Sequence, residues 1–572
     1  MATDGNWTFT VSGSNATLTK FSGSGVTNLV VPSTVSDGTS TYTVTSIEGS
    51  SSSSPAVPNS TLGTGCILTL PSTLTSIGNY AFYSCTKLAT LTIPGAVTSI
   101  GTHAFDYCTA LTSVTIPDSV TSIGERAFTW CTKLATLTIG NSVTSIGNYA
   151  FDNCTALTSV TIPDSVTSIG NNAFTSCSKL ATLTIGNSVT SIGTYTFQNC
   201  SKLATLTIGN SVTSIRNYAF FGCSSLASVT IPDSVTSIHY TAFGGCNLLT
   251  AINVSEGNTV YSSQDGVVFS KNKTTLKLCP VGKSDPYVIP SSVTSIGTNA
   301  FESCRSLTSV TIPDSVTSIG EDAFSNCIKL ATLTIGNSVT SIGNYAFDYC
   351  TALTSVTIPD SVTSIGNGAF YGCTNLATLT IGNSVKSIGS TAFRKCTSLT
   401  SVTIPNSVKS INTSAFQDCT SLTSVYNASS LSITKGSTSY GYVAYYASDV
   451  YKCYTITIVC DSQHGTIDKD KIYAVSGTTL TILNNTLSST VPEQTVTITF
   501  IGEESEYTWI NAAGAITANR TITLKFAADS VVVHIKVNGA WKEGKPYVKV
   551  NGAWKEATKI YVKVSGAWKE SA

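Results

Sequence analysis

The sequence predicts a mainly β solenoid with a 23-residue period, and three observations predict it. Cys85, Cys108, Cys131, Cys154, Cys177, Cys200, Cys223 and Cys246 recur every 23 residues, and Cys304, Cys327, Cys350, Cys373, Cys396 and Cys419 resume that step. The residues between them repeat almost verbatim. A period of 20–29 residues with leucine at fixed offsets is the mark of a leucine-rich-repeat solenoid, whose units bury their apolar side only against one another.

One unit, Leu307 to Ser325, reads LTSVTIPDSVTSIGEDAFS. Alternate side chains of a strand share a face, so Leu307, Val310 and Ile312 are expected inside. Pro313, or Gly336 in the next copy, ends that strand and turns the chain. Val316 and Ile319 point inward again, Gly320 makes a second corner, and Ala323, Phe324 and Cys327 fill the interior from a short irregular turn. The cysteine is thereby a small repeated hydrophobe. No CxxC pair occurs, which removes the usual zinc signature.

The unit LTSVTIPDSVTSIGEDAFSNC resembles the BspA-like, treponemal-type leucine-rich repeat of bacterial surface adhesins, over residues 66–447. The resemblance implies a protein that binds host-surface or matrix molecules. It also implies that residues 250–290, which break the period, form a hairpin island, and that 426–447 form the exit from the array. Asp265-Gly266 and the lysines around Asn272 supply two turn signals in the island. Residues 1–65 alternate like short strands and are expected to cap the open end of the array, since a bare end strand is an aggregation-prone edge. Residues 448–530 read as a small β-rich domain. Residues 531–572 carry IKVNGAWKE, VKVNGAWKE and VKVSGAWKE, strand-like triplets followed by Asn-Gly or Ser-Gly turns.

Composition excludes several functions. The chain of 572 residues has 31 basic and 31 acidic side chains and is 11% charged, so no nucleic-acid partner is expected. No run of 18 apolar residues exists, and no membrane span is expected. The four histidines, His103, His239, His464 and His534, have no ligand-like spacing and read as lone surface residues. With no nucleophile elbow, phosphate loop or paired carboxylates, the chain is expected to be neither an enzyme nor a holder of metal or cofactor.

Binding is expected where the copies differ. The outward strand positions, such as Ser113 and Thr115 or Thr136 and Thr138, are monotonous. Two short windows vary instead: before Ala-Phe stand Tyr149, Tyr195, Tyr218 and Tyr345, and between Phe and Cys stand Tyr107, Trp130, Phe221, Tyr349 and Tyr371. Exposed aromatic rings give stiff contact area with a polar tip, suited to a surface protein or glycan. These nine residues are the candidate partner-binding edge; rings that merely staple adjacent repeats are the alternative.

The sequence's start has no basic and apolar leader, so no secretory signal is expected, and stacked thiols suit folding in a reducing compartment. The lysine-rich tail is similar to short repeats near the ends of phage virion proteins. Together these favour a display or adhesion protein of a phage virion surface, with a secreted bacterial adhesin and a purely structural particle scaffold as alternatives. Trp541, Trp554 and Trp568 recur at steps of 13 and 14 residues and mark residues 531–572 as the attachment end, docking on other virion subunits or on a second copy.

Overall fold

The computed structural model describes residues 1–460 except 285, with side chains through 450, and beyond them the strand segments 472–475, 495–501, 521–524, 547–550, 553–556, 560–564 and 567–571. The chain divides into two compact units, residues 1–310 with 319–330, and residues 311–318 with 331–572.

The first unit opens with antiparallel strands Ala2–Asp4, Trp7–Ser12 and Asn15–Phe21. Asn15–Phe21 then pairs in parallel with Thr41–Ile47, and Ser46 and Ile47 pair with Ser76 and Ile77. From there each Ser-Ile pair lies beside the next at a step of 23, through Ser99, Ser122, Ser145 and Ser168. Longer strands stack in a second parallel row with the same step: Ser159–Ile162, Thr182–Ile185 and Thr205–Thr207. No α-helix occurs among the described residues. The identity of the units is what holds this register, because a one-residue slip would bring an apolar residue opposite an outward hydroxyl.

The interior is a set of ladders. Leu111, Val114, Ile116, Val120, Ile123, Ala127, Phe128 and Cys131 are all buried, and their equivalents in neighbouring repeats lie beneath them. Phe82, Phe105, Phe128, Phe151, Phe174, Phe197, Phe220 and Phe243 form one stack, with centroids 5.1–5.5 Å apart and rings within 13° of parallel. The expected inward positions are inside, and the cysteine is the small buried hydrophobe expected: sixteen cysteines among the described residues are buried. A further ladder explains the Thr of each Val-Thr-Ser-Ile run. Thr98 donates its hydroxyl to the Thr75 carbonyl at 3.1 Å, Thr121 to Thr98 and Thr144 to Thr121, so the hydroxyl reinforces the inter-repeat hydrogen bonds.

The period breaks after Ala251–Val254. Tyr261–Gln264, Val267–Ser270 and Thr275–Leu278 form an antiparallel meander, and Leu276 then pairs in parallel with Ile296 to resume the array. Asp265 and Gly266 are both left-handed, with φ of 53° and 77°, as a two-residue hairpin turn requires. Lys273, with φ 58°, makes the second turn.

In the second unit the same step continues through Ser341, Ser364, Ser387 and Ser410. Ser401–Ile404 pairs with Ser424–Asn427, which pairs with Asp449–Cys460. The last repeat is capped by the segment after it: the Gly441 carbonyl accepts the Phe416 N–H at 2.7 Å. Towards the end of the chain, Tyr547–Val550 pairs with Ala553–Glu556 and Ile560–Val564 with Ala567–Ser571, both antiparallel. Trp554 and Trp568 lie on the returning strands of these pairs, and Trp541 lies outside the described residues.

Candidate functional site

The variable windows occupy a part of the repeats that is neither strand nor helix, except at Tyr240–Phe243, which is a 3-10 turn. Between the Gly corner and the cysteine, two residues per repeat adopt left-handed backbone. The first column runs Tyr80, His103, Arg126, Tyr149, Asn172, Tyr195 and Tyr218 in the first unit, and Tyr345, Gly368 and Thr391 in the second. The second column runs Ser84, Tyr107, Trp130, Asn153, Ser176, Asn199 and Gly222, and then Tyr349, Gly372 and Lys395. The turn itself is hydrogen-bonded from repeat to repeat. The N–H groups of His103, Phe105 and Tyr107 donate to the carbonyls of Glu125, Ala127 and Thr129 at 2.8–2.9 Å.

Sequence reasoning grouped all residues between Phe and Cys as one variable window. The structure separates them. The residue before each second-column position leans inward: Asp106 is 2% and Thr129 1% exposed. Phe221 and Tyr371 stand at this inward position and are half-buried. Tyr107, Trp130, Tyr345 and Tyr349 are left-handed and 39–41% exposed. Tyr149, Tyr195 and Tyr218 are left-handed and half-buried.

These rings also touch one another. Tyr107 and Trp130 stack with centroids 5.9 Å apart and planes 2° from parallel, and Tyr83 meets Tyr107 edge-on at 6.2 Å. Tyr195 stacks on Tyr218 at 5.0 Å, and Phe221 meets Tyr218 edge-on. The Arg126 guanidinium lies 4.5 Å from the centre of the Tyr149 ring. In the second unit Tyr349 meets Tyr371 edge-on at 5.3 Å, and the Lys395 ammonium sits 5.6 Å from the Tyr371 ring. The hydrogen bond from Tyr349 and the nearby Lys395 hold the Tyr371 phenol below its ordinary pKa.

His103 departs from the expected lone surface histidine. Its Nδ1 lies 2.6 Å from Asp106 Oδ2, and its ring stacks on Tyr80 at 4.9 Å. The i, i+3 spacing brings the two together because the left-handed residue and the inward residue straddle one turn. Asp106 Oδ1 is buried with no hydrogen-bond partner, and burial pushes the carboxyl pKa up against the opposing pull of His103 and Arg126. His239 is also paired, with Nδ1 2.7 Å from Thr241 Oγ1. Among the described residues, no group of three or more His, Cys, Asp or Glu side chains is placed to hold a metal, and no helix is long and apolar enough to cross a membrane.

Within each unit the arrangement sets aromatic rings and polar tips along the turns, with a uniform hydroxyl face on the strands. The signal sequence reasoning missed was the company these aromatics keep. Asn153, Asn199, Gly222, Gly368 and Gly372 occupy the same positions, and Asn and Gly are the residues that tolerate left-handed backbone.

The BspA type Leucine rich repeat region matches residues 66–181, 144–275, 283–366 and 340–442. A leucine rich cell surface protein from Faecalibacterium prausnitzii is 31% identical over 75% of this chain and 95% of its own length, with a TM-score of 0.45. A leucine-rich repeat protein from Bacteroides ovatus is 25% identical over 79% of this chain and 99% of its own, with a TM-score of 0.53. No curated protein matches the chain.

Proposed function

Since the chain belongs to the BspA-type leucine-rich-repeat family, we propose that it is a non-enzymatic display and adhesion protein whose aromatic edge binds a surface protein or glycan. The observation that carries this reading is the choice of residue at left-handed positions. A non-glycine residue there costs about 1–2 kcal/mol, whereas an aromatic stacking pair gains about 0.5–1.5 kcal/mol. The two terms are of similar size, so stacking gives Tyr107 and Trp130 little net stability to explain their choice, and Asn153 and Ser176 show that the turn closes without a ring. Residues held in strained backbone cluster where a surface does work. Replacing Tyr107, Trp130 and Tyr349 by Ser is the test. Loss of retention on target cells with unchanged melting supports the reading, and unchanged binding with unchanged stability sinks it.

The carrier of this surface has two readings. A bacterial envelope is supported by the family and by the cell-surface description of the Faecalibacterium relative. A bacteriophage particle is favoured by the ladder of buried thiols, which suits folding in a reducing compartment before display. In the second case residues 531–572, with Trp541, Trp554 and Trp568, are the attachment end. Mass spectrometry of purified particles against washed envelopes separates the two, and a chain deleted of 531–572 that still incorporates would move the attachment elsewhere.

A further inference from the structure

The first left-handed column has a gap. Arg126, Tyr149, Asn172, Tyr195 and Tyr218 follow one another at single repeats, so Asn172 is the short residue between two rings. Arg126 covers one side of Tyr149, and Tyr218 covers one side of Tyr195. Arg126 belongs to the repeat before Tyr149 and Tyr218 to the repeat after Tyr195. The ring faces that look toward Asn172 are therefore the two that carry no second ring or cation, and Asn172 alone stands between them. Where this column holds rings in adjacent repeats they stack 4.9–5.0 Å apart, as Tyr80 on His103 and Tyr195 on Tyr218. One skipped repeat thus separates the Tyr149 and Tyr195 ring planes by about 10 Å, two inter-strand spacings.

The backbone that carries each ring is held. Thr129 donates its hydroxyl to the Tyr149 carbonyl at 2.5 Å, and Thr175 donates to the Tyr195 carbonyl at 2.6 Å. Asn172 Nδ2 donates to Thr175 Oγ1 at 3.3 Å, which leaves its second amide hydrogen and its carbonyl oxygen to face a guest. A gap so bounded has apolar walls and, at Asn172, a polar floor able both to donate and to accept.

We propose that Tyr149 and Tyr195 sandwich a neutral pyranose ring, with Asn172 reading a hydroxyl or acetamido group at its edge. This rests on the adhesion reading and gives its ligand a chemical class. Thickness and charge select the sugar. A flat aromatic guest in contact with both walls fills only about 7–8 Å between ring planes, at carbon–carbon contacts of about 3.5–4.0 Å; a puckered chair is thicker and fills the slot. A quaternary ammonium has suitable width and is the usual guest of aromatic cages, yet Arg126 already places a cation on the far face of Tyr149. An aromatic or cationic guest would also leave the Asn172 amide unmatched.

The test fills the slot without removing a wall. Asn172→Tyr extends a column that already accepts Tyr149, Tyr195 and Tyr218, so the variant keeps the fold and its melting point. The probes are an array of neutral hexose- and N-acetylhexosamine-terminated oligosaccharides, phosphocholine beads and a tyrosine-containing peptide, each offered to the full-length chain. The proposal expects oligosaccharide binding that falls at least tenfold in Asn172→Tyr and likewise in the double variant Tyr149→Ser, Tyr195→Ser. It is overturned if the unmodified chain captures no neutral sugar, if it prefers phosphocholine or the peptide, or if Asn172→Tyr binds sugar as before. A cell-retention assay on the same proteins keeps the two readings apart. Retention without sugar binding overturns the slot alone, whereas a chain that no cell retains overturns the adhesion reading itself.

Discussion

The thiol of Cys131 donates to the carbonyl of Phe105 at 3.3 Å, and the same bond recurs from Cys108 to Phe82, from Cys154 to Phe128 and from Cys177 to Phe151. Each thiol thereby satisfies the backbone of the repeat before it, from a site with no exposure to solvent. Burial pushes these thiols well above their ordinary pKa, so almost no thiolate is present near neutrality. Alkylation of the native chain at pH 8, mapped by mass spectrometry, should leave the sixteen buried cysteines unlabelled, and guanidinium should expose them together. Rapid labelling of Cys131 in the folded chain would contradict the packing.

The phenylalanine stack is the most sensitive part of the interior. Phe174 lies between Phe151 and Phe197, fully buried. Phe174→Ala should cost about 3–5 kcal/mol, read as a lowered denaturant midpoint. Because repeats are stabilised by their neighbours, hydrogen exchange should accelerate first in the repeats flanking residue 174.

Asp106 makes stability depend on pH in an unusual direction for a carboxylate. Burial raises its native pKa above the ordinary value, with His103 and Arg126 opposing. Its contribution is then fully present below the ordinary carboxylate range and is lost as pH rises through the native value. Asp106→Asn keeps an acceptor for the His103 ring N–H and removes the buried charge. The variant should melt higher than the parent chain at pH 7, with the difference closing below pH 4. A variant that melts lower at pH 7 would show that the His103 pairing outweighs the burial.

Trp130 separates strain from stacking. Trp130→Asn gives up the contact with Tyr107 and relieves the left-handed backbone, terms of similar size and opposite sign. Stability should change by less than about 1 kcal/mol, measured by chemical unfolding. Retention on target cells should fall.

Gly441 is irreplaceable on two counts. Its φ is 67°, and an added Cβ would lie 2.4 Å from the Asn412 carbonyl oxygen and 2.8 Å from Ala415. Gly441→Ala should destabilise the end of the second unit by about 1–3 kcal/mol, seen as faster exchange of the Phe416 amide, whose acceptor is the Gly441 carbonyl.

What was legible in the sequence follows from what repeats print. Leu307, Val310, Phe324 and Cys327 are legible as interior residues because their identity recurs whatever surrounds them, and a buried ladder tolerates only one shape. The two turns of the island, at Asp265-Gly266 and Lys273, were legible from turn chemistry. The left-handed columns were not: Tyr107, Trp130 and Tyr149 disguise a backbone conformation that only their counterparts Asn153, Asn172 and Gly222 advertise. The pairing of His103 with Asp106 was hidden for a related reason, since an i, i+3 contact of this kind depends on a left-handed residue bending the chain between inward and outward side chains. The aromatic residues were picked out by their variation, which marks where copies are free to differ but not which rings face a gap.

The hydrogen bonds of the turn run one way, each repeat's N–H groups reaching the carbonyls of the repeat that follows, as from His103, Phe105 and Tyr107 to Glu125, Ala127 and Thr129. Excising or duplicating one whole 23-residue copy within either unit rejoins the same donors to the same acceptors. Removing 22 or 24 residues instead leaves one joint a residue out of phase, a misfit that a loop must absorb, as the island absorbs a step of 20 from Thr275 to Ser295. Recombination between near-identical copies in such a gene therefore changes reach in whole repeats, and the edge carrying Tyr149, Asn172 and Tyr195 is reshuffled in the same step.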